Sequence, residues 1–226
     1  MFSNFFFDAD DGFYTLTKGG SIVFALIMVA LIVIAAFIFD RNSVKHSTKE
    51  LVITAMLIAL AYAVSFVKIS MPFGGSVTMF SMLFVCLIAY FYGPKMGLAG
   101  ALAYGVLQFI QDGGSYVLSP MQVCCDYLFA FMGLGVAGFF ANCKKHALIK
   151  GYIAGITMRF IFASLAGYLY WMEYMPEEFP KSLKAIYPLV YNGIYIYAEG
   201  IVTILVLLVP AVAGIMVRTK NTVRAK

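Results

Sequence analysis

Charge is scarce in this chain. Only 12% of its 226 residues are Asp, Glu, Lys or Arg, against 62% hydrophobic, and a soluble domain so poor in charge could not keep its surface wet. That excludes a soluble globular protein. Histidine is reduced to two residues, His46 and His146, both in polar segments. The four cysteines, Cys86, Cys124, Cys125 and Cys143, have no CxxC spacing and no histidine in register with them, so no metal centre is expected. There is no GxxxxGK[ST] run. GLAGALAYG (97–105) has the glycines without the lysine and lies inside an apolar stretch, so the chain cannot hydrolyse ATP by that kind of phosphate loop. Small residues at that spacing instead let helices approach closely in a bilayer. Internal repeats and low-complexity segments are also missing, which gives no support to an inverted-repeat transporter.

What the chain has is long apolar runs. A helix needs about 20 apolar residues to cross the hydrocarbon core, and seven such stretches occur, near 21–39, 50–68, 76–92, 96–111, 121–141, 149–172 and 189–217. The sequence therefore predicts an all-α integral membrane protein. Lysine and arginine collect on the cytoplasmic side. They sit in DRNSVKHSTKE (40–50), GPK (93–95), NCKKHALIK (142–150) and the tail VRTKNTVRAK (217–226), whereas FDADDG (7–12), FGGSV (73–77), QDGGSYVLSP (111–120) and MEYMPEEFPKSLKAIYP (172–188) are polar, glycine-rich or acidic. The alternation places the N-terminus outside and the C-terminus in the cytoplasm. It also accounts for the net charge of +5 without a nucleic-acid partner. The first stretch is preceded by acidic residues and followed by no small-residue cleavage site, so it is expected to be a retained anchor and not a signal peptide. The organisation expected is an extension with one helix and a basic linker (1–49), a six-helix membrane domain (50–217) and a basic cytoplasmic tail (218–226).

Several polar residues lie inside these stretches. In RFIFASLAGYLYW (159–171), four-residue steps put Arg159, Ala163, Gly167 and the only tryptophan, Trp171, on one slowly drifting stripe. Trp171 at the outer boundary reads either as an interfacial anchor or as part of a pocket wall. PMQVCCDYLFAF (120–131) places Gln122 and Asp126 one turn apart beside Tyr127, and AIYPLVYNGIYIYAE (185–199) brings Tyr187, Tyr191, Asn192 and, two turns deeper, Glu199. An ionised group in hydrocarbon needs a partner or a wet cavity. Counting depth at about 1.5 Å per residue puts Arg159 roughly 20 Å, Glu199 roughly 15 Å and Asp126 about 9 Å below the outer ends of their helices. The depth match predicts a structural Arg159–Glu199 ion pair, with direct ligand contact by Arg159 as the other reading. Asp126 is then left without a cation. A carboxylate beneath an aromatic rim suits a small flat cation, through a charge-assisted contact and cation–π stacking; a protonated Asp126, or one bonded to a neighbouring helix end, is the alternative.

These pieces together resemble a known family. The run from about 50 to 217 resembles the substrate-binding S-component of energy-coupling factor (ECF) vitamin transporters, and its thiamine-specific branch in particular. The likeness rests on GGSVTMFSML (74–83), GPKMGLAGALAYGVLQ (93–108), SPMQVCCDYLFAF (119–131) and RFIFASLAGYLYW (159–171) followed by YPLVYN (187–192). The first two are shared loosely among S-components, and the last two are more telling. The resemblance implies a six-helix body, to which the first stretch adds one transmembrane helix. It implies a pocket using Asp126 and Tyr127, the stripe Arg159, Ala163, Gly167 and Trp171, and the pair Tyr187 and Asn192. Ala163 departs from the pattern, standing where histidine is usual. The resemblance further implies high-affinity capture of thiamine from outside the cell without enzymatic activity or cofactor, and partnership with a membrane T-component and two ATPases. Docking in such proteins uses a small-residue face on the first body helix, here Ala55, Ala59 and Ala63; ordinary packing within the monomer is the competing reading of that face.

Other functions remain to be weighed. Ala163 would suit another vitamin or a thiamine precursor. An intramembrane enzyme could use Asp126, Glu199 and Arg159 as its polar centre, but no histidine, metal cluster or serine–base arrangement accompanies them. A purely structural membrane protein would bind no vitamin.

Overall fold

The computed structural model describes residues 7–10, 13–17, 19, 23, 47–71, 75–112 and 117–225. The expected first span near 21–39 and His46 lie outside the described residues, apart from Val23. Ahead of them, β1 (Phe7–Asp10) pairs antiparallel with β2 (Phe13–Leu16).

The membrane body begins at a capping box. Ser47 Oγ accepts the Glu50 backbone N–H and Glu50 Oε2 accepts the Ser47 N–H, each at 3.3 Å, which satisfies donors that a helix start leaves orphaned. From this point α1 (Thr48–Ser65) runs through the bilayer, burying Thr54, Leu57, Ala61 and Ser65 and leaving the opposite face exposed. A short hairpin of β3 (Lys68–Ser70) and β4 (Ser76–Thr78) follows, in a register that puts Lys68 opposite Thr78. The stretch near 76–92 is therefore helical only from α2 (Ser81–Tyr92), because its first residues pair as a strand. At 12 residues α2 rises about 18 Å, short of the hydrocarbon thickness, and it is buried over nearly its whole surface at the centre of the core.

Gly93 (φ +90°) turns the chain into α3 (Pro94–Gln111), with Pro94 in the first helical turn where a missing N–H costs nothing. Next come α4 (Met121–Phe140) and α5 (Ala147–Tyr174), and a run from Lys181 that becomes α6 (Tyr187–Leu208). By length and composition, α1, α4, α5 and Lys181–Leu208 can each cross a membrane. Together with α2 and α3 they make an all-helical body whose lipid-facing surface is apolar, with Val52, Leu60, Ile161, Ile201 and Leu205 all exposed on it.

The last expected span, 189–217, is two elements. Val209 is extended (ψ 121°), as the residue before a proline is driven to be, and Pro210 starts a separate helix, α7 (Pro210–Arg224). This helix folds against the end of the bundle. Lys220 donates to the Ala141 carbonyl and its ammonium lies 4.1 Å from the Tyr90 ring centroid, and Arg224 donates to the Phe91 carbonyl. Lys49 of α1 in turn donates to the carbonyls of Thr222 and Ala225 at 3.1 and 2.9 Å. Cations thus cap carbonyls that helix ends leave unpaired. The expected tail 218–226 is, through Arg224, the last turns of a docked helix.

Close helix approach explains the glycines of α3 and α4. A Cβ on Gly135 would meet Leu98 N at 2.5 Å, and one on Gly97 would meet Ala89 Cβ at 2.4 Å. The neighbour of Gly135 is backbone and cannot swing aside. We predict that Gly135→Ala destabilises the protein by about 3 kcal/mol, at the upper end of overpacking costs. Gly214→Ala, where an added Cβ has nothing within 4 Å, should be neutral or stabilising by about 0.5–1 kcal/mol. Thermal unfolding in detergent of the two variants side by side checks this; equal melting temperatures would remove the close-packing account.

Candidate ligand-binding site

At the end of the bundle opposite α7, a cavity of about 480 Å³ is enclosed by the ends of α1, α3, α4, α5 and α6 and roofed by the hairpin β3–β4. Asp126, Tyr127, Arg159, Ala163, Trp171, Tyr187 and Asn192, named as site residues from the sequence, all line it. Gly167 does not. A Cβ there would meet Pro188 Cβ at 2.7 Å and Tyr191 Oη at 3.0 Å, so its role in this arrangement is to let α6 lie against α5 and bring Tyr191 and Asn192 to the cavity.

Local backbone irregularity sets the key side chains. Cys124–Phe129 in α4 and Gly167–Trp171 in α5 are π-helical, a rare geometry that recurs at functional sites. Asp126 and Tyr127 lie in the first and Trp171 ends the second. The two turns meet: Trp171 Nε1 donates to Asp126 Oδ2 at 2.8 Å, and Gln122 Nε2 donates to the same oxygen at 2.6 Å. Trp171 is therefore a wall of the cavity held by a partly buried hydrogen bond. Asp126 Oδ1 has no partner among the described residues. Tyr127 Oη donates to Asp112 Oδ2 at 2.8 Å while its ring packs edge-on against Phe109. Asn192 Nδ2 donates to the carbonyls of Ala163 (3.2 Å) and Pro188 (2.9 Å), and its Oδ1 accepts from Tyr195 Oη at 2.7 Å. Tyr187, Tyr191 and Tyr195 succeed one another along α6, with ring centroids 4.8 and 6.5 Å apart.

The expected Arg159–Glu199 ion pair is corrected by the geometry. Glu199 is buried, and its carboxylate accepts from Thr78 N (3.1 Å), Thr78 Oγ1 (2.6 Å) and Met82 N (3.1 Å). The end of β4 supplies two of the donors and the first turn of α2 the third, which helix N-termini offer to anions. The Arg159 guanidinium instead lies 4.2 Å from the centroid of the Phe131 ring and 5.9 Å from that of Tyr195, on the cavity wall. Depth counting along separate helices could not register that a third element, entering from the hairpin, reaches Glu199 first.

Sequence reasoning also passed over part of the lining. Ser65, Lys68, Thr78, Tyr104, Gln108, Asp112 and Tyr195 border the cavity. Gln108 Nε2 donates both to Ser65 Oγ (3.0 Å) and to Gln111 Oε1 (2.9 Å), so the ends of α1 and α3 form one polar rim. Gly75 carries the hairpin over the site. Its φ of +72° is in the left-handed region, and a Cβ would stand 2.1 Å from the Tyr195 ring, so only glycine fits. The signal for Gly75 was present in GGSV; Ser65 and Asp112 sit at helix ends and gave none.

Chemically, the cavity offers a carboxylate under aromatic faces at one side, a guanidinium deeper, and hydrogen-bonding amides and hydroxyls between. No group of three or more His, Cys, Asp or Glu residues able to hold a metal occurs among the described residues.

Comparison with known proteins converges on one family. The model of the thiamine transporter protein family matches residues 51–217. The thiamine transporter ThiT of Bacillus subtilis (strain 168) is 28% identical over 170 residues, 70% of this chain and 86% of that protein. The structure of ThiT from Listeria monocytogenes shares the fold, with a TM-score of 0.56 and 24% identity over 72% of this chain and 96% of that one. A multi-pass helical membrane body with a ligand-sized cavity at one end, matched over most of its length, gives the conclusion: the chain belongs to the thiamine transporter protein family.

Proposed function

We propose that this protein captures thiamine from outside the cell as the substrate-specificity subunit of an ECF transporter. The observation that carries the proposal is the Asp126–Trp171 contact within the cavity. It fixes an aromatic plane beside a carboxylate whose second oxygen faces no other described partner, the complement of a flat organic cation such as a thiazolium. The cavity volume falls within the range of small-molecule sites. Asp126, Tyr127, Arg159, Ala163, Trp171, Tyr187 and Asn192 would contact the vitamin, with Gly167 setting the spacing of α5 and α6. Ala163 leaves room where the family pattern has histidine, which favours a thiamine precursor or analogue as the second reading.

The sequence has no phosphate loop of the GxxxxGK[ST] kind, so transport would draw on partners. Ala55, Ala59 and Ala63 are exposed on α1, on the face away from buried Thr54, Leu57 and Ala61. Their exposure supports docking to a T-component with its two ATPases over packing within the monomer. The basic residues around α7 and in 142–150 support a cytoplasmic location for that end, with the cavity and the N-terminus outside.

Trp171 is the only tryptophan, so its fluorescence reports one site. Thiamine is expected to change that fluorescence saturably with half-saturation below about 1 μM, near −8 kcal/mol. A response confined to a precursor or another vitamin would move the specificity to that ligand, and silence toward all of them would leave a structural role. Asp126→Asn should weaken binding by about 2 kcal/mol, roughly thirtyfold, since a charged contact becomes neutral; isothermal titration of the variant is the check, and parent-like affinity would dismiss Asp126 as the counter-ion.

Docking is tested apart from binding. Ala59→Trp should keep vitamin affinity in detergent yet abolish ATP-dependent uptake of labelled vitamin in cells expressing the T-component and ATPases. Uptake at the parental rate would place the coupling surface elsewhere.

A further inference from the structure

A second cavity, of about 550 Å³, lies between α7, the last turn of α6 and the segment 141–149 at the start of α5. Its lining divides into two parts. Leu148, Ile149, Leu207, Leu208, Ala213 and Met216 form an apolar floor, and Lys144, His146, Lys220 and Arg224 form the polar rim together with Asn142 and Asn221. Not one Asp or Glu lines it. Four features of the rim bear on what it holds. Lys220 and Arg224 are pre-set: each gives an N–H to a helix-end carbonyl, of Ala141 and Phe91, Arg224 gives a second to Asn142 Oδ1 at 3.5 Å, and both keep further N–H donors for another acceptor. Lys144 and His146 are exposed and have no hydrogen-bond or ion-pair partner among the described residues. The left-handed backbone of His146 (φ +52°) turns the chain sharply into α5 at the rim. Finally, the floor meets the bilayer: Leu208 and Val209 are exposed where the long apolar helix ends, and α7 continues the apolar surface with exposed Ile215 and Val217.

We propose that this cavity is a binding site for an anionic phospholipid of the leaflet at this end of the bundle, with the phosphate on Lys144, Lys220 and Arg224 and an acyl chain along Leu207, Leu208 and Met216. The cations and the apolar floor each select against one other occupant. A soluble anion would gain nothing from the floor, and a zwitterionic lipid would bring its own cation against the rim. A basic pocket between helix ends at the headgroup level is a setting in which such lipids bind, and an amphipathic helix lying in the interface plane is a common means of building one. The site is separate from the vitamin cavity and stands independently of its occupant.

The test is native mass spectrometry of the full chain in neutral detergent, with phosphatidylglycerol or phosphatidylcholine added at equal concentration. The parent protein should retain one phosphatidylglycerol and little phosphatidylcholine. Lys144→Glu should reduce that retention roughly tenfold or more, because a rim cation becomes an anion. Lys145→Glu has the same net charge but alters a residue outside the cavity lining, and should retain the lipid within about twofold of the parent. Equal retention of both lipids, or equal loss in both variants, would overturn the site in favour of unspecific surface attraction. Inorganic phosphate that displaced the lipid at millimolar concentration would show a free-anion site and overturn the lipid assignment.

Discussion

A carboxylate that must be satisfied inside a membrane governs this structure. Glu199 sits in the middle of α6 at 4% exposure, where an unpaired charge would cost several kcal/mol. Its three donors all come from the junction of β4 and α2. That requirement ties the hairpin to α6, fixes where α2 begins, and makes a short central helix viable at a depth a full-length span would have crossed. No ion-pair contact joins Arg159 to Glu199 among the described residues, and the guanidinium lies on aromatic faces at the cavity wall. Had the two paired, the deep end of the cavity would have lost its positive charge.

The body helices and the polar stripe were legible in the sequence because both depend on periodicity: apolar runs of bilayer length, and Arg159, Ala163 and Trp171 at four-residue steps. Proximity in depth was legible for Asp126 and Trp171, each near the same end of its helix. Three things were missed. The π turns in α4 and α5 depend on how neighbouring helices press, which no local pattern announces. The partner of Glu199 was misread because pairing was sought only between charges, while backbone N–H groups at a helix start serve a carboxylate as well. The break at Val209–Pro210 had a clear local signal, a proline in an apolar run, but the hydropathy of 189–217 outweighed it in placing the span.

The two ends of the bundle solve opposite problems with related means. At the end with the Asp126–Trp171 contact, ionisable groups of both signs are placed within aromatic and amide surroundings, so the cavity can discriminate by charge position. At the α7 end the charges that line the cavity are of one sign, and carbonyls from helix termini hold Lys220 and Arg224 in place, as they hold Lys49 nearby. The family match stops at residue 217, midway along α7, so Lys220 and Arg224 themselves fall beyond it while the carbonyls that hold them, of Ala141 and Phe91, fall within it.

The bonds from Lys49 to Thr222 and Ala225 have a topological meaning. Residues 47 and 225, which bound the described part of the membrane body, are brought within the reach of a single lysine side chain. A linker of a few residues joining 225 to 47 would therefore carry only a small loop-closure cost. The order in which the helices are encoded is, to that extent, separable from the way they pack.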